Sequence, residues 1–459
     1  MSLVRTAPAL GPPRRGRPPA RNEILRGGLL GGADPVALAE AYGTPLYVYD
    51  LDVVSRQASA LRGALPSRFE IAYAVKANPS LGVVAHLAGL GLGADVASLG
   101  ELRTALRAGV PPGRIVMTGP GKRDEELRAA VDAGIRAITV ESPGELDRLD
   151  RIAASRPAPT APGSPAASPV PILLRAAVPA TRAIERVRLV GDDGAGKFGM
   201  DPGDLLDAAR AARRSLRLDL LGIHAFGASN VTDAGALAAH VADTLELARH
   251  VARQTGTRFR LVDVGGGLGI PYETGDESID LAGFGRLLET LAAELPSEPS
   301  LRDARVLVEP GRFLVGPAGA YVARVVDRKT VDGRAVAIVD GGIHHVLRPA
   351  LVGQEHRVRR LTGGTGPDGS SRFVPVTIAG PLCSGLDVFA TEAMVQAPDP
   401  GDLVAVLDVG AYGFTESMPF FLSHPIPAEV ALRGGRASLL RPRLEPDTWL
   451  DWQRLPEDF

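Results

Sequence analysis

The feature that most constrains this chain is a regular alternation of short apolar runs with longer amphipathic stretches between residues 69 and 309. The apolar runs end at Val75 (IAYAV), Val96 (GADV), Thr118 (IVMT), Val140 (AITV), Ala176 (ILLRA), His224 (LLGIH), Val264 (LVDV) and Glu309 (VLVEP). Helical spacing of apolar residues falls between them, as at 98–108, 124–133, 234–255 and 281–293. Eight strand–helix units over about 250 residues predict an α/β fold, a (β/α)8 TIM-like barrel.

After Gly319 the pattern changes. YVARVVDRKTVDGRAVAIVD, RFVPVTIAG and DLVAVLDVG read as strands with turn residues between them, a C-terminal all-β domain built as a sandwich or small barrel. The expected organisation is a disordered Pro/Arg/Ala-rich tail over 1–23 and an N-terminal segment over 24–45 that packs with the β domain. The barrel then spans 46–318, the β domain 319–440, and a C-terminal tail 441–459. Ala154–Val170 reads as a Pro/Ala/Ser surface loop and Thr362–Ser371 as a long hairpin loop.

At 459 residues the chain exceeds one ordinary core. Its 45% hydrophobic and 23% charged residues are those of a soluble globular protein. A net charge of −2 offers nothing to nucleic acid or to an anionic membrane. No apolar run approaches the roughly 20 residues of a membrane span. The single cysteine, Cys383, cannot form an internal disulfide and fits a reducing, cytoplasmic setting. Only four lysines occur, Lys76, Lys122, Lys197 and Lys329, which shortens the list of amine nucleophiles.

In such a barrel the C-terminal strand ends form the active face, and the polar and glycine-rich segments sit there. Lys76 directly follows the first strand. Desolvation by the barrel wall is expected to lower its pKa and favour an amine that attacks a carbonyl; by itself the position also suits a strand-end lysine reaching to solvent. Gly265, Gly266 and Gly267 can bring backbone amides close to an anion, although a plain tight turn is the commoner meaning of such a run. Glu309 and Arg312, in EPGR, offer an anion for a cationic ring nitrogen and a cation for a phosphate, or else a structural ion pair. Asp95, His224, Phe226 and Ser229 follow strands two and six. In the β domain, Cys383 in GPLCSGLD and Tyr412 in DVGAYG read equally as packing residues.

Together the segments YAVKAN (73–78), GADVASLGEL (93–102), GGGLG (265–269), EPGR (309–312), GPLCSGLD (380–387) and DVGAY (408–412) resemble the fold-type III pyridoxal-phosphate (PLP) decarboxylases of ornithine, diaminopimelate and arginine. The resemblance spans roughly residues 40–430. It implies PLP as cofactor, held by Lys76 as a Schiff base. Gly265 to Gly267, Arg312 and Tyr412 would hold the phosphate and Glu309 would pair with the pyridine nitrogen. Asp95, His224, Phe226, Ser229 and Gly311 complete the expected cofactor set. Cys383 would reach the partner subunit's site and help protonate the carbanion, which makes the active unit a homodimer with shared sites. Arg348, Ser384 and Asp387 are the expected substrate-binding residues.

Departures from the family pattern bear on the substrate. Ser384 stands where ornithine and diaminopimelate decarboxylases carry an acid for the distal ammonium, which disfavours free diamino acids. The family's R-P-A-L-Y segment is Arg348-Pro349-Ala350-Leu351-Val352, without its tyrosine. Its ring-stacking histidine corresponds to Phe226, with His224 two residues earlier, and Phe226 is favoured. The segment Gly413–Pro425 looks more like a biosynthetic-cluster branch, whose members act on carrier-tethered amino acids or siderophore intermediates. Diaminopimelate decarboxylation, racemisation and a non-catalytic regulatory role are the alternatives. Glu309 argues against a racemase, which places an arginine at the ring nitrogen, and retention of Lys76, Glu309, Arg312 and Cys383 argues against a regulator.

Overall fold

The computed structural model describes residues 24–156, 168–177, 196–227, 229–272, 275–363 and 372–457. The expected tail over 1–23, residues 157–167 of the Pro/Ala/Ser loop and residues 364–371 of the hairpin loop lie outside the described residues.

Eight parallel strands close a barrel in chain order. Numbered one to eight, they are Phe69–Ala74, Gly93–Val96, Ile115–Met117, Ala137–Val140, Val170–Arg175, Leu218–His224, Leu261–Asp263 and Arg305–Val308. Strand eight pairs back onto strand one, with Val308 opposite Ile71. The surrounding helices start on local signals. The side chains of Ser98, Ser142 and Asp233 accept the amides of Glu101, Glu145 and Ala236, each satisfying a donor that lacks a helical partner. Gly134 and Gly256 end two helices in the left-handed conformation.

Along Ala234–Thr255 the buried residues Leu237, Val241, Leu245, Ala248 and Ala252 recur every three or four positions and face the strands. Inside the barrel, Ala72, Val116, Ala137, Leu173, Leu261 and Leu307 form a separate small cluster. Side chains on a strand alternate between this interior and the helix layer, so each strand is buried on both faces.

The second unit is a nine-stranded sheet around the long strand Gly319–Val331. That strand pairs with Arg334–Val339, with Leu403–Leu407 and with Leu46–Asp50. Leu46–Asp50 also pairs in parallel with Ala428–Arg433. Placing Leu46–Asp50 at the start of the barrel is therefore corrected: the barrel begins with the helix Leu51–Ala64 that follows it. The reason is burial. Leu46 and Val48 pack with Leu38, Ala320 and Val430, while Tyr47 and Tyr49 pack against the barrel layer. A sheet strand covered on both sides has the same apolar signature as a barrel strand.

The helix Pro35–Tyr42 lies on the outer side of this sheet through Leu38 and Ala39. Near the C-terminus, where a tail is expected, Pro446–Leu450 forms a short helix, and its Trp449 stacks on Phe420 with centroids 4.5 Å apart. No helix among the described residues is long and apolar enough to cross a membrane.

Candidate active site

The C-terminal ends of the barrel strands surround a narrow cavity that opens to solvent. Its lining includes Lys76, Phe226, Gly267, Glu309, Arg312 and Tyr412, from five parts of the sequence. Lys76 lies in the single turn Val75–Ala77 that ends strand one, with its side chain exposed toward the opening. The β domain is fastened to this turn. The Tyr412 amide donates to the Ala77 carbonyl at 2.8 Å, and Asn78 Nδ2 donates to the Gly410 carbonyl at 3.0 Å. Tyr412 takes a left-handed φ of 54°, uncommon for a residue with a side chain, and holds its ring at the cavity.

Opposite the lysine lies a buried negative pole. Strand register places Asp263 beside His224 on strand six and beside Leu307 on strand eight, two residues before Glu309. The Glu309 amide donates to the Gly265 carbonyl at 2.8 Å, and His224 Nε2 stands 3.5 Å from Glu309 Oε2. Glu309 Oε1, Asp263 Oδ2, Asp95 Oδ1 and both ring nitrogens of His224 are buried without a hydrogen-bond partner. Ligand atoms of His224, Asp263 and Glu309 lie within 4.8 Å of one another, so the cluster is shaped to face a positive group.

Buried carboxyls this close cannot all ionise. Burial opposes a charge on Glu309, but His224, Asp263 and the Lys76 ammonium outweigh it and hold the carboxyl down to about 2. Burial and the Glu309 charge push Asp263 well above the carboxylate range and raise Asp95 to about 8. Burial lowers His224, against the pull of Glu309. The negative charge therefore rests on Glu309.

This has a consequence for stability. The fold retains a proton on Asp95 that the unfolded chain gives up above its ordinary 3.8. The cofactor-free protein should therefore lose stability as pH rises from about 4 toward 8, and Asp263 acts in the same direction. Asp95→Asn is expected to flatten the slope of melting temperature against pH across that window. An unchanged slope in thermal denaturation would mean that Asp95 is ionised in the fold.

Lys76 departs from expectation. Although the side chain reaches the opening, desolvation by the surrounding walls works against its ammonium, yet Tyr412, Asp95 and Glu309 together hold it above the ordinary 10.5. The expected lowering is corrected. The apolar strand before Lys76 is visible in the sequence, but the carboxyls that strands two and eight bring to it are not.

The third wall is a glycine recess next to a guanidinium. Gly265 and Gly267 have φ of 65° and 103°. A Cβ on Gly265 would come within 2.6 Å of the Phe226 ring, and one on Gly266 would collide with the Glu309 carbonyl. A Cβ on Gly311 would come within 2.8 Å of Ala77, so its absence lets strand eight approach the lysine turn. Arg312, buried, donates to Tyr272 Oη at 2.8 Å and to Ser229 Oγ at 3.3 Å. Its hydrogen-bond partners among the described residues are hydroxyls, which leaves its charge available to an anion.

Phe226 lines the cavity, its ring centroid 5.2 Å from Lys76 Nζ, whereas His224 is wholly buried behind Glu309. Arg348 packs on the outer side of Tyr412, 5.1 Å from the ring centroid, and pairs with Glu416 at 3.0 Å. Cys383 is exposed and Ser384 half-buried on the β domain; neither lines the Lys76 cavity of its own chain. Asp387 is buried, with one oxygen accepting the Ile343 amide and the other the Leu382 amide, each at 2.7 Å. It clamps its own loop, and the expected substrate contact would have to compete with both amides. Sequence reasoning missed Asp263, Tyr272 and Glu416. Asp263 is signalled by a polar residue closing an apolar strand just before the glycines, but Tyr272 and Glu416 carry no local signal.

Residues 51–316 match the family model for the pyridoxal-binding domain of pyridoxal-dependent decarboxylases. This chain belongs to that family. Over 93% of its length it is 35% identical to diaminopimelate decarboxylase of Methanothermobacter thermautotrophicus, of which it covers 96%. It is 31% identical to the L-glutamyl-[BtrI acyl-carrier protein] decarboxylase of Niallia circulans, with 89% of this chain and 93% of that protein aligned. The crystal structure of M. jannaschii diaminopimelate decarboxylase in complex with L-lysine superposes with a TM-score of 0.85 at 26% identity, covering 95% of this chain and 99% of that one. As a pyridoxal-dependent decarboxylase the chain is a carboxy-lyase of amino-acid metabolism that uses pyridoxal phosphate.

Proposed function

We propose that this decarboxylase removes the carboxylate from the α-carbon of an amino acid or amino-acid-like substrate, with Lys76 as the amine that joins the cofactor's aldehyde. One observation carries the reading. An amine, a buried carboxylate with an oxygen unpartnered among the described residues, and a guanidinium bonded among them only to hydroxyls occupy separate walls of one cavity. Pyridoxal phosphate, when bound, supplies a conjugated cationic ring that accepts the electron pair left behind as CO2 departs.

The residues supply the rest. Glu309 keeps the ring nitrogen protonated by placing a fixed negative charge beside it. The amides of Gly265 to Gly267, with Arg312, Ser229 and Tyr412, hold the phosphate. Gly311 gives the backbone room to approach, Phe226 supplies an apolar wall, and Asp95 and His224 support the charged groups. Lys76 would hold the cofactor's aldehyde and, as part of the cavity wall, would carry a proton to or from the reacting carbon.

Cys383 and Ser384 stand away from the cavity of their own chain, which supports a homodimer in which each subunit completes the other's site. Mixing Lys76→Ala subunits with Cys383→Ala subunits should then restore CO2 release that neither variant shows alone. No recovery after subunit exchange would dismiss the shared site. An exposed free cysteine fits a reducing cytoplasm.

Ser384 in place of an acid, and the relative that acts on a carrier-bound glutamyl group, support a biosynthetic branch whose substrates are carrier-tethered or siderophore intermediates. Diaminopimelate is the second reading, favoured by the 35% identical relative. A panel of free, acylated and carrier-bound amino acids assayed for CO2 separates them. Release from diaminopimelate alone would end the branch reading, and α-proton exchange without CO2 would end decarboxylation.

A further inference from the structure

The barrel also opens at the end opposite Lys76. Beneath strands eight, one, two, three and four lies a cavity of about 460 Å³, open to solvent. That size falls within the roughly 300–1,000 Å³ of small-molecule sites. Four arginines line it from separate segments. Arg62 comes from the helix Leu51–Ala64, Arg114 precedes strand three, Arg136 precedes strand four and Arg305 opens strand eight. Among the described residues, Glu70 is the only carboxylate in that lining.

The bonds that gather these arginines leave their charge unbalanced. Glu70 accepts Arg305 Nε on one oxygen at 2.7 Å and Arg136 Nη1 on the other. Burial opposes its charge, but the two guanidiniums hold its carboxyl below the ordinary 4.5, so it is ionised and offsets one cation of that pair. Arg62 Nη2 donates to the Leu90 carbonyl at 2.9 Å and Arg114 Nη1 to the Gly91 carbonyl at 3.0 Å. Neither has a carboxylate partner among the described residues. Successive carbonyls thus hold two like charges at one rim, and a guanidinium has further donors to offer. Four cations against one anion leave three positive charges uncompensated in the lining.

The rest of the wall is apolar, including Leu65, Ile71 and Leu307. Leu307 belongs to the small cluster inside the barrel, which separates this cavity from the mouth at Lys76. Strand one runs from Glu70 at this end to the Lys76 turn, about 20 Å away at the rise of an extended chain. A ligand here cannot touch the cofactor.

We propose that this cavity is a second ligand site, which binds a small organic molecule bearing two or more phosphate groups. Guanidinium forks match phosphate oxygens two at a time, and a multiply charged group is needed to balance the excess. The apolar wall takes the organic body of the ligand, which inorganic phosphate would leave to water. The site is independent of the chemistry at Lys76.

The test is calorimetric titration of the protein with ATP, pyrophosphate and adenosine at about 150 mM salt, where loose surface attraction is screened. Pyridoxal phosphate is kept saturating, so that the Lys76 cavity is filled. One ATP per chain is expected, bound about tenfold or more tighter than either pyrophosphate or adenosine. Arg62→Gln combined with Arg114→Gln should weaken ATP by about tenfold or more, with an unchanged melting temperature because both side chains are exposed. Arg114→Gln alone should give part of that loss, which keeps the test decisive if the double variant does not fold. Arg334→Gln, exposed on the β domain, should bind as the wild-type protein does. No ATP binding, several weak sites per chain, or binding that the Arg62 and Arg114 substitutions leave intact overturns the proposal. Adenosine binding as tightly as ATP overturns phosphate recognition, and pyrophosphate binding as tightly overturns the organic body.

Discussion

Lys76→Ala is expected to leave a colourless protein that borohydride cannot fix to its cofactor, with CO2 release reduced by at least about a thousandfold. No other lysine can take over. Lys122 is buried, with Nζ donating to the Gly119 and Thr139 carbonyls at 2.7 Å each and pairing with Glu145 at 2.7 Å. Lys197 sits 5.1 Å from the Phe198 ring and Lys329 lies on a β-domain strand. The fold should survive, because the Lys76 side chain faces an open cavity rather than a packed core. An absorbance spectrum and a thermal melt on the same sample separate loss of chemistry from loss of structure. Turnover retained in a folded variant would defeat the assignment of Lys76.

Glu309→Gln keeps the shape of the cavity floor and removes its charge. A hydrogen bond to a charged group contributes about 1.5–3 kcal/mol, so CO2 release should fall roughly 10- to 150-fold. The cofactor should still bind through Lys76, which makes this a variant with colour and little turnover. The pH behaviour of the wild-type protein bears on the same residue. Glu309 is held at about 2, below its ordinary 4.5, so its contribution to stability is present above about 4.5 and is lost as pH falls toward 2. The acid limb of stability should therefore move in Glu309→Gln while the slope between 4 and 8, which belongs to Asp95 and Asp263, becomes shallower as their repulsion by Glu309 is relieved. Equal turnover in the variant and the wild-type protein would show that no charge is needed at the ring nitrogen.

Several parts of the site are legible without coordinates because they depend on neighbours in the chain. A lysine one residue past an apolar strand, a glycine run past another and EPGR past a third are each set by strand ends. The barrel then carries all three to one mouth. Phe226 and His224 show the limit of this reasoning. His224 closes strand six and Phe226 lies two residues beyond it, and only the closed barrel shows that Phe226 meets the cavity while His224 lies behind Glu309. The raised pKa of Lys76 has the same origin, since its carboxyl neighbours come from other strands.

Eight periods of apolar and amphipathic residues were enough to specify a barrel, because burial of a strand or a helix face is a short-range pattern that each segment carries within itself. Assigning Leu46–Asp50 to its sheet needed the tertiary structure, since a strand covered on both sides looks alike in a barrel and in a sheet between two layers. So did the pairing of Arg348 with Glu416, 68 residues apart, and the gathering of Asp263, His224 and Glu309. Charged groups choose partners by distance in space, and no local periodicity records which distant segment will bring the opposite charge.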